Sequence, residues 1–305
     1  MISVVIPLYN KEKQIAHTLQ TVLTQTFQNF EIVIVDDGCT DNSVAEVEKF
    51  NDHRIRLIHQ ANAGVAAARN KGIEESKYDL IAFLDADDEW KPAYLETQYA
   101  LFEKYPECSV FACNYEFKDA KGNVSRTTIK KLPFEGTDGI LSNYFEVASY
   151  SHPPICSISI MVKKTAIKNV GGFPTGIKSG EDLLTWARLA SKYKIAYVTS
   201  SLSIYHLDDD FSKLPPRKQD PGDPVGKGLV ELMYSFHPPH IKQYISHWHK
   251  MRASTALRFG ERAETIHESY KSISYNPINY KIVPFIFLAL LPTKIRSYII
   301  SRHQK

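Results

Sequence analysis

The stretch 80-LIAFLDADD-88 decides the fold that we expect, because it is an apolar run followed at once by carboxylates at Asp85, Asp87 and Asp88. A short, fully apolar run bounded by polar residues is typical of a strand buried on both faces, as in a parallel sheet. We therefore predict a strand over 80–84, with the acidic cluster lying just beyond its carboxyl end.

The same pattern recurs upstream of this strand. Short apolar runs predict strands over 3–8, 31–35 and 55–59. The stretches between them are amphipathic and predict helices, with apolar residues at helical spacing in one (Ile15, Leu19, Val22, Leu23) and in the next (Val44, Val47, Phe50). Ser43 and Glu46 fit a capping box at the start of the second helix. Alternating strands and helices predict an α/β fold with a mostly parallel central sheet flanked by helices.

The rest of the chain has a looser pattern. Lys91-Pro92 opens a helix that runs to about residue 105, and later pieces predict strands over 157–162 and 195–198 with a helix over 183–192 between them. Residues 208–224 are rich in proline and charge, which predicts a loop, and residues 225–305 are predicted to be helical.

Polar residues follow the predicted strands at the same end. In open α/β sheets ligands bind outside the carboxyl ends of the strands, so Tyr9, the pair Asp36 and Asp37, and the acidic residues 85–88 are expected to face one crevice. Carboxylates suit a divalent cation that also holds a diphosphate. The alternatives are a solvated acidic turn at 85–88 and an ordinary Asp-Gly turn at Asp37.

Three further features are candidates for chemistry. Gly64 opens an alanine-rich helix that carries Arg69, which either meets a phosphate or base, or belongs to a helix packed on the sheet. Glu181 and Asp182 stand at a predicted helix start, where one carboxylate can stay ionised as a base or simply cap the helix. His206 is either a metal ligand or a structural histidine.

Composition narrows the function classes. Hydrophobic residues make up 43% and charged residues 23%, which excludes a disordered or fibrous chain, and a net charge of +3 gives no reason to expect a nucleic-acid partner. Four cysteines without CxxC spacing predict reduced thiols and a cytoplasmic location, and the N-terminus has no secretion-signal pattern. The apolar run 282–291 is too short to span a bilayer.

The C-terminal segment 282–305 has two open interpretations. It either makes peripheral contact with an anionic membrane, which would place the protein at its inner face, or packs its apolar side on the protein. The apolar residues are followed by four cations that would suit a lipid surface: Lys294, Arg296, Arg302 and Lys305.

Five motifs in sequence order closely resemble glycosyltransferase family 2, the inverting enzymes of the GT-A fold. They are VVIPLYN (4–10), IVIVDDG (32–38), NAGVAAARN (62–70), FLDADD (83–88) and GEDLLTW (180–186). The resemblance implies a GT-A catalytic domain over 1–207, with nucleotide-sugar binding in about 1–115 and the acceptor side in about 116–207. Cys39 departs from the family, which often has serine there.

The resemblance also implies residue roles. The residues expected to contact the nucleotide-sugar are Pro7, Tyr9, Asp36, Asp37, Gly64, Arg69 and Asp85. Asp87 matches a ligand of a Mn or Mg ion, and His206 stays the candidate for a second ligand. Asp182, with Glu181 beside it, matches the general base.

The expected function is therefore metal-dependent transfer of a sugar, with inversion, from a UDP-sugar to a hydroxyl of a glycan or lipid-linked acceptor in cell-surface polysaccharide synthesis. One alternative is a nucleotide-sugar-binding protein without turnover. Another is a phospho-receiver-like signalling domain, but that class is shorter and would leave the motif around Glu181 unexplained.

Overall fold

The computed structural model of the protein describes residues 1–207, 219–292, 295–296 and 299. The chain divides into two compact units, one within Met1–Gly176 and Glu181–Asp209, the other within Ile177–Gly180 and Asp210–Lys305. Most of the predicted loop, 208–218, lies outside the described residues.

The first unit is an α/β unit. Its strands are β1 Ile2–Leu8, β2 Phe30–Asp36, β3 Ile55–His59, β4 Leu80–Phe83, β5 Glu89–Trp90, β6 Val110–Lys118, β7 Val124–Arg126, β8 Asp138–Ile140, β9 Ile160–Lys163 and β10 Ile195–His206. Its helices are α1 Ile15–Leu23, α2 Ser43–Glu48, α3 Val65–Glu75, α4 Tyr94–Lys104, α5 Tyr144–Tyr150, α6 Lys164–Asn169 and α7 Glu181–Lys192. The four strands expected in the N-terminal part are present within one residue at each end.

All the strands belong to one sheet with the order β3-β2-β1-β4-β9-β6-β10-β5, while β7 pairs with β6 and β8 with β10. The pairs β2–β3, β1–β2, β1–β4 and β6–β10 are parallel. The remaining pairs, through β5, β7, β8 and β9, are antiparallel. The parallel sheet expected from the sequence therefore occupies the N-terminal half, and the C-terminal half of the sheet is mixed.

Burial explains why the N-terminal strands are continuous apolar runs. Every residue of β1, β2 and β4 is buried, because helices cover both faces of this part of the sheet. Helix α3 lies very close to β1, since a Cβ added at Gly72 would fall 2.2 Å from Cγ1 of Val5. Glycine at 72 therefore sets the distance between this helix and the strand.

The predicted capping box of α2 is wrong. Asn42 is the N-cap residue and makes no side-chain cap. The hydroxyl of Ser43 instead accepts a hydrogen bond from the Lys11 backbone N–H at 2.7 Å and donates one to Asp41 Oδ1 at 2.5 Å. A contact distant in sequence has taken the hydroxyl that a local cap would use.

The second unit contains the helices α8 Pro224–Phe236, α9 Ile241–Phe259, α10 Arg262–Tyr275 and α11 Val283–Leu290, with a 3-10 turn at Tyr280–Ile282. Asp223 caps α8 by accepting from the Gly226 N–H at 3.0 Å, and it also accepts from Trp248 Nε1 at 2.9 Å.

Asp223, His249 and Glu268 form a buried cluster whose ligand-type atoms lie within 4.8 Å of one another. The carboxylate of Glu268 already accepts from Arg252 Nε at 2.9 Å and lies 2.6 Å from His249 Nδ1. Burial raises the pKa of Glu268, but these partners outweigh it and lower that pKa to about 2. Because Arg252 already supplies the positive charge, the arrangement is an ion-pair network joining α8, α9 and α10.

Helix α11 buries only part of its apolar surface. Ala289 is buried, whereas Val283, Phe287 and Leu290 are 58%, 61% and 67% exposed. Their spacing of four and three residues places the exposed side chains on one face. Among the described residues, no helix combines the length and the apolar character needed to cross a bilayer.

Candidate active site

The parallel strands bring three of the expected positions to one edge of the sheet. Leu8 is paired with Asp36, and Val5 with Phe83, so β1, β2 and β4 end side by side. Tyr9, Asp37 and Asp85 follow these neighbouring strands. The Asp37 N–H donates to the Leu8 carbonyl at 2.9 Å, which extends the pairing of β1 and β2 up to the site. Pro7 lies in β1, buried and paired with Val35, whereas Tyr9 is 47% exposed.

Asp37 organises the entry to α3. Its carboxylate accepts from Gln60 Nε2 at 2.7 Å and from the backbone N–H groups of Ala63 and Gly64 at 2.9 Å each. Gly64 has φ +88°, a conformation that favours glycine, and α3 begins one residue later. The two motifs 32–38 and 62–70 are therefore joined by one buried carboxylate.

Asp36 closes the turn after β2. Its carboxylate accepts from the Cys39 N–H at 2.8 Å and lies 2.9 Å from His59 Nδ1. Burial raises the pKa of Asp36, but the hydrogen bonds from Cys39 and His59 outweigh it and leave that pKa below its usual value. Cys39 therefore holds the turn through its backbone, as serine could.

Arg69 on α3 connects two acidic motifs. Its guanidinium Nη2 donates to both oxygens of Asp85 at 2.7 and 3.0 Å, and Nη1 lies 3.4 Å from Glu181 Oε1. The guanidinium also lies over the ring of Phe173, 5.2 Å from its centroid, and the side chain is only 4% exposed. One buried cation thus joins the end of β4 to the start of α7.

Glu181 and Asp182 begin α7, as the sequence predicts. Burial raises the pKa of both carboxyls, and the positive charge of Arg69 only partly opposes this. The Asp182 side chain remains partly exposed, and its carboxylate accepts from the Leu183 N–H at 2.7 Å. Asp182 therefore combines access with a raised pKa, two properties expected of a general base.

The acidic residues after β4 have different partners. Asp87 Oδ2 lies 2.5 Å from Lys11 Nζ, and the buried Asp88 carboxylate accepts from the His206 N–H at 2.7 Å. Burial, together with the charges of Asp85 and Asp87, raises the pKa of Asp88 well above its usual value. Asp87 is thus the carboxylate of this stretch that faces an ammonium group.

The ring of His206 contacts a different carboxylate from the one expected. Its Nε2 lies 3.0 Å from Glu89 Oε1, and the same carboxylate accepts from Lys118 Nζ at 2.9 Å and lies 2.6 Å from His17 Nε2. Burial raises the pKa of Glu89, but Lys118, His17 and His206 together lower it to about 2.

Some of the expected residues contact one another: Asp37 with Gly64, and Arg69 with Asp85 and Glu181. The His206 backbone N–H donates to Asp88, the residue after Asp87. Sequence reasoning missed Lys11, Glu89 and Lys118. Lys11 directly follows the VVIPLYN motif, so its position next to a predicted binding segment was an available signal.

Comparison with known proteins identifies the family of the chain. The profile described as "Glycosyl transferase family 2" matches residues 3–166. An uncharacterized glycosyltransferase of Rickettsia felis is 29% identical over 298 residues, which cover 94% of this chain and 46% of the relative. Glycosyltransferase GlyG of Streptococcus pneumoniae is 39% identical over 126 residues, 40% of this chain and 42% of that protein. The chain thus spans less than half the length of these curated relatives.

The crystal structure of Staphylococcus aureus TarS 1–349 in complex with UDP-GlcNAc has a similar fold. Its TM-score is 0.63 at 17% sequence identity, covering 92% of this chain and 93% of that one. The expected α/β fold with a central sheet flanked by helices is confirmed. With more than half of its residues matched by the family profile, the chain belongs to glycosyltransferase family 2.

Proposed function

We propose that this glycosyltransferase transfers a sugar, with inversion at the anomeric carbon, from a UDP-sugar to a hydroxyl of a glycan or lipid-linked saccharide during cell-surface polysaccharide synthesis. The observation that carries the proposal is the Arg69 bridge, which brings Asp85 after β4 and Glu181 at the start of α7 around one buried cation. The TarS structures with UDP and with UDP-GlcNAc support a nucleotide donor.

The first unit would carry this chemistry, with the nucleotide at about 1–115 and the acceptor at about 116–207. A carboxylate offers about four lone-pair positions, and Asp37 uses three, which leaves one for a ribose hydroxyl or base N–H. Tyr9 is exposed beside it and offers a ring for stacking, with Pro7 fixing the strand end. Asp36 keeps the turn in place. The space beside Gly64 is open, since a Cβ there would meet nothing within 4 Å, so a ligand could approach the Gly64 backbone closely.

The residues after β4 fit a divalent cation such as Mn or Mg. Asp87 is partly exposed, its oxygen is a hard ligand, and an ammonium already lies against it, so positive charge is accommodated there. Asp87 and His206 would hold the ion, and the His206 ring would leave its present contact with Glu89 to do so. A bound divalent ion would stabilise negative charge on the departing diphosphate.

In the proposed reaction Asp182 accepts the proton of the acceptor hydroxyl as the oxygen attacks the anomeric carbon. The raised pKa of Asp182 makes it a stronger base than an ordinary aspartate. Glu181 and Arg69 hold the first turn of α7 in place through their contact. A single displacement without a covalent intermediate inverts the configuration.

The test is Asp182→Asn, measured with a UDP-sugar, Mn²⁺ and acceptor. We expect transfer to fall about 10²–10⁴-fold because the proton acceptor is lost, while donor binding by calorimetry is unchanged. Asp119→Asn, which alters a carboxylate in the turn between β6 and β7, is the matched control. Near-normal transfer by Asp182→Asn would remove Asp182 from the mechanism. Binding of the UDP-sugar without release of UDP, with or without acceptor, would instead indicate a nucleotide-sugar-binding protein without turnover.

We further propose that the C-terminal unit makes peripheral contact with the inner face of an anionic membrane. The exposed stripe of Val283, Phe287 and Leu290 supports insertion, and residues 269–305 contain no Asp or Glu. Arg296 cannot contribute as first expected, because it is buried, at 5% exposure. The other expected cations, Lys294, Arg302 and Lys305, lie outside the described residues.

Co-sedimentation with phosphatidylcholine vesicles, with and without phosphatidylglycerol, tests the membrane contact. The double variant Phe287→Ser/Leu290→Ser should remain in the supernatant, whereas Tyr234→Ser, which changes a 70% exposed aromatic on α8, should pellet like the unmodified protein. Equal pelleting of both variants would favour the alternative in which this segment only packs on the protein.

The four cysteines are free thiols, which supports a reducing, cytoplasmic location.

A further inference from the structure

Lys11 is a charged residue at the site that the proposed roles leave unused. Its ammonium lies 2.5 Å from Asp87 Oδ2, and the side chains of the two residues are 30% and 27% exposed. Asp87 is the carboxylate to which the proposed cation would bind. A positive charge from the chain itself therefore occupies the position that a divalent ion would take.

The backbone around Lys11 is held firmly. Asn10 has φ +51°, a left-handed conformation, and its side-chain oxygen accepts from the Thr40 N–H at 2.8 Å. The Lys11 N–H donates to the Ser43 hydroxyl at 2.7 Å, and the next N–H donates to Asp41 Oδ2 at 3.1 Å. Because these bonds fix the main chain to the start of α2, movement at Lys11 is confined to its flexible side chain.

The carboxylates of Asp85 and Asp87 differ in how firmly they are paired. Asp85 is held by two contacts from Arg69, whose planar guanidinium is buried at 4% exposure. Asp87 is paired with a half-buried lysine, a point charge on a flexible stem that can turn to another anion. Of the two, Asp87 therefore has the exchangeable partner.

We propose that Lys11 is an internal counter-ion that holds Asp87 until a divalent cation and a nucleoside diphosphate arrive, and then transfers its ammonium from Asp87 to the diphosphate. This inference rests on the proposed function. A divalent ion on Asp87 repels the Lys11 ammonium, and the diphosphate attracts it. Binding of the ion to Asp87 and movement of the ammonium to the diphosphate therefore favour each other. Lys11 then weakens metal binding before the donor is present and strengthens donor binding afterwards.

The first measurement is Mn²⁺ binding without nucleotide, by calorimetry and by the electron paramagnetic resonance signal of free Mn²⁺. Lys11→Met keeps the aliphatic stem and removes the competing charge, so it should bind Mn²⁺ at least about fivefold more tightly, the lower limit of typical coupling between binding events. Lys91→Met is the matched control, because Lys91 is 36% exposed and pairs with Glu116 instead. It should bind Mn²⁺ like the unmodified protein.

The second measurement is UDP binding at saturating Mn²⁺. Lys11→Met should bind UDP at least about fivefold more weakly, because the ammonium that moves to the diphosphate is missing. Lys11→Arg, which keeps the charge, should restore much of this affinity. Thermal unfolding of each variant confirms that it is folded, and Lys11→Gln repeats the test if Lys11→Met is not.

The outcomes separate this inference from the proposed function. Equal Mn²⁺ affinity in Lys11→Met and the unmodified protein overturns the counter-ion role, while leaving sugar transfer intact if UDP binding still requires Mn²⁺. Unchanged UDP binding in Lys11→Met overturns the transfer of the ammonium to the diphosphate. Absence of Mn²⁺ binding in both proteins, with or without UDP, overturns the metal site and this inference together.

Discussion

Replacing Arg69 by methionine removes the cation that joins Asp85 to Glu181. Methionine keeps much of the length and apolar contact of the arginine stem but cannot donate to either carboxylate. The change leaves Glu181, whose side chain is 9% exposed, without its counter-charge, and Asp85, whose side chain is 22% exposed, without two hydrogen bonds. We expect a large loss of stability in the first unit.

The size of the loss follows from the burial of the three groups. Removing one partner of a buried ion pair costs about 3–5 kcal/mol, because the remaining charge stays desolvated. Asp85 reaches water in part, so the lower end applies and we expect about 3 kcal/mol. For a unit of this size, each kcal/mol lowers Tm by about 2–4 °C, which gives a decrease of about 6–12 °C.

The penalty should depend on pH. Without Arg69, the pKa of Glu181 in the folded protein should lie further above its unfolded value, because burial already raises that pKa and the charge of Arg69 opposes the rise. Groups of this kind favour the folded state at low pH, and this contribution is lost as the pH rises through the folded pKa. The difference in Tm between Arg69→Met and the unmodified protein should therefore be larger at pH 7.5 than at pH 5.

Thermal unfolding followed by circular dichroism at both pH values measures the effect. Arg126→Met is the control, because Arg126 is 86% exposed, its contact with Glu116 is long at 3.5 Å, and Glu116 keeps its closer contact with Lys91 at 2.8 Å. We expect this control to lose only about 0–1 kcal/mol. A Tm for Arg69→Met equal to that of Arg126→Met, or a difference from the unmodified protein that grows toward pH 5, would refute this account of the bridge.

Three other predictions concern the base, the core and the second unit. Because the pKa of Asp182 is raised, the ionised base is lost as the pH falls through that pKa. The acidic limb of the plot of kcat/KM against pH should therefore have its midpoint above about 3.9, the usual pKa of aspartate. A midpoint at or below this value would contradict the assignment of Asp182 as the base. Gly72→Ala should cost about 1–3 kcal/mol in urea unfolding by crowding Val5, and adding Val5→Ala should recover part of the loss relative to additivity. Asp223→Ala should cost about 1–3 kcal/mol for each donor left without its acceptor, seen as faster amide exchange at the start of α8; unchanged exchange at Gly226 would argue against the cap.

The N-terminal strands were predictable because their signal is local. The strands β1, β2 and β4 are apolar along their length or nearly so, and a run of this kind between polar turns indicates a buried strand without knowledge of its neighbours. Strand β10 was predicted only as far as Val198, whereas it continues to His206. Its pairing with β6 shifts register around Ser201, and a polar, irregular segment of this kind has no period-two pattern.

The contacts of the site were only partly predictable. The sequence motifs correctly place acidic residues at strand ends and at the start of α7, since both positions are set by local structure. Partner choice depends on distant residues: Glu89, not predicted as part of the site, is shared by His17, Lys118 and His206. No pattern within one segment specifies which carboxylate each cation will meet.

The Arg69 bridge also bears on the order in which the protein assembles. The guanidinium and Asp85 are separated by 16 residues, but Glu181 lies 112 residues further along the chain than Arg69. During synthesis, a nascent chain that has not yet emerged past Glu181 contains the arginine with only one of its two carboxylate partners. The end of the sheet that carries this bridge is consequently among the last parts of the first unit to mature, since contacts between distant segments form slowly.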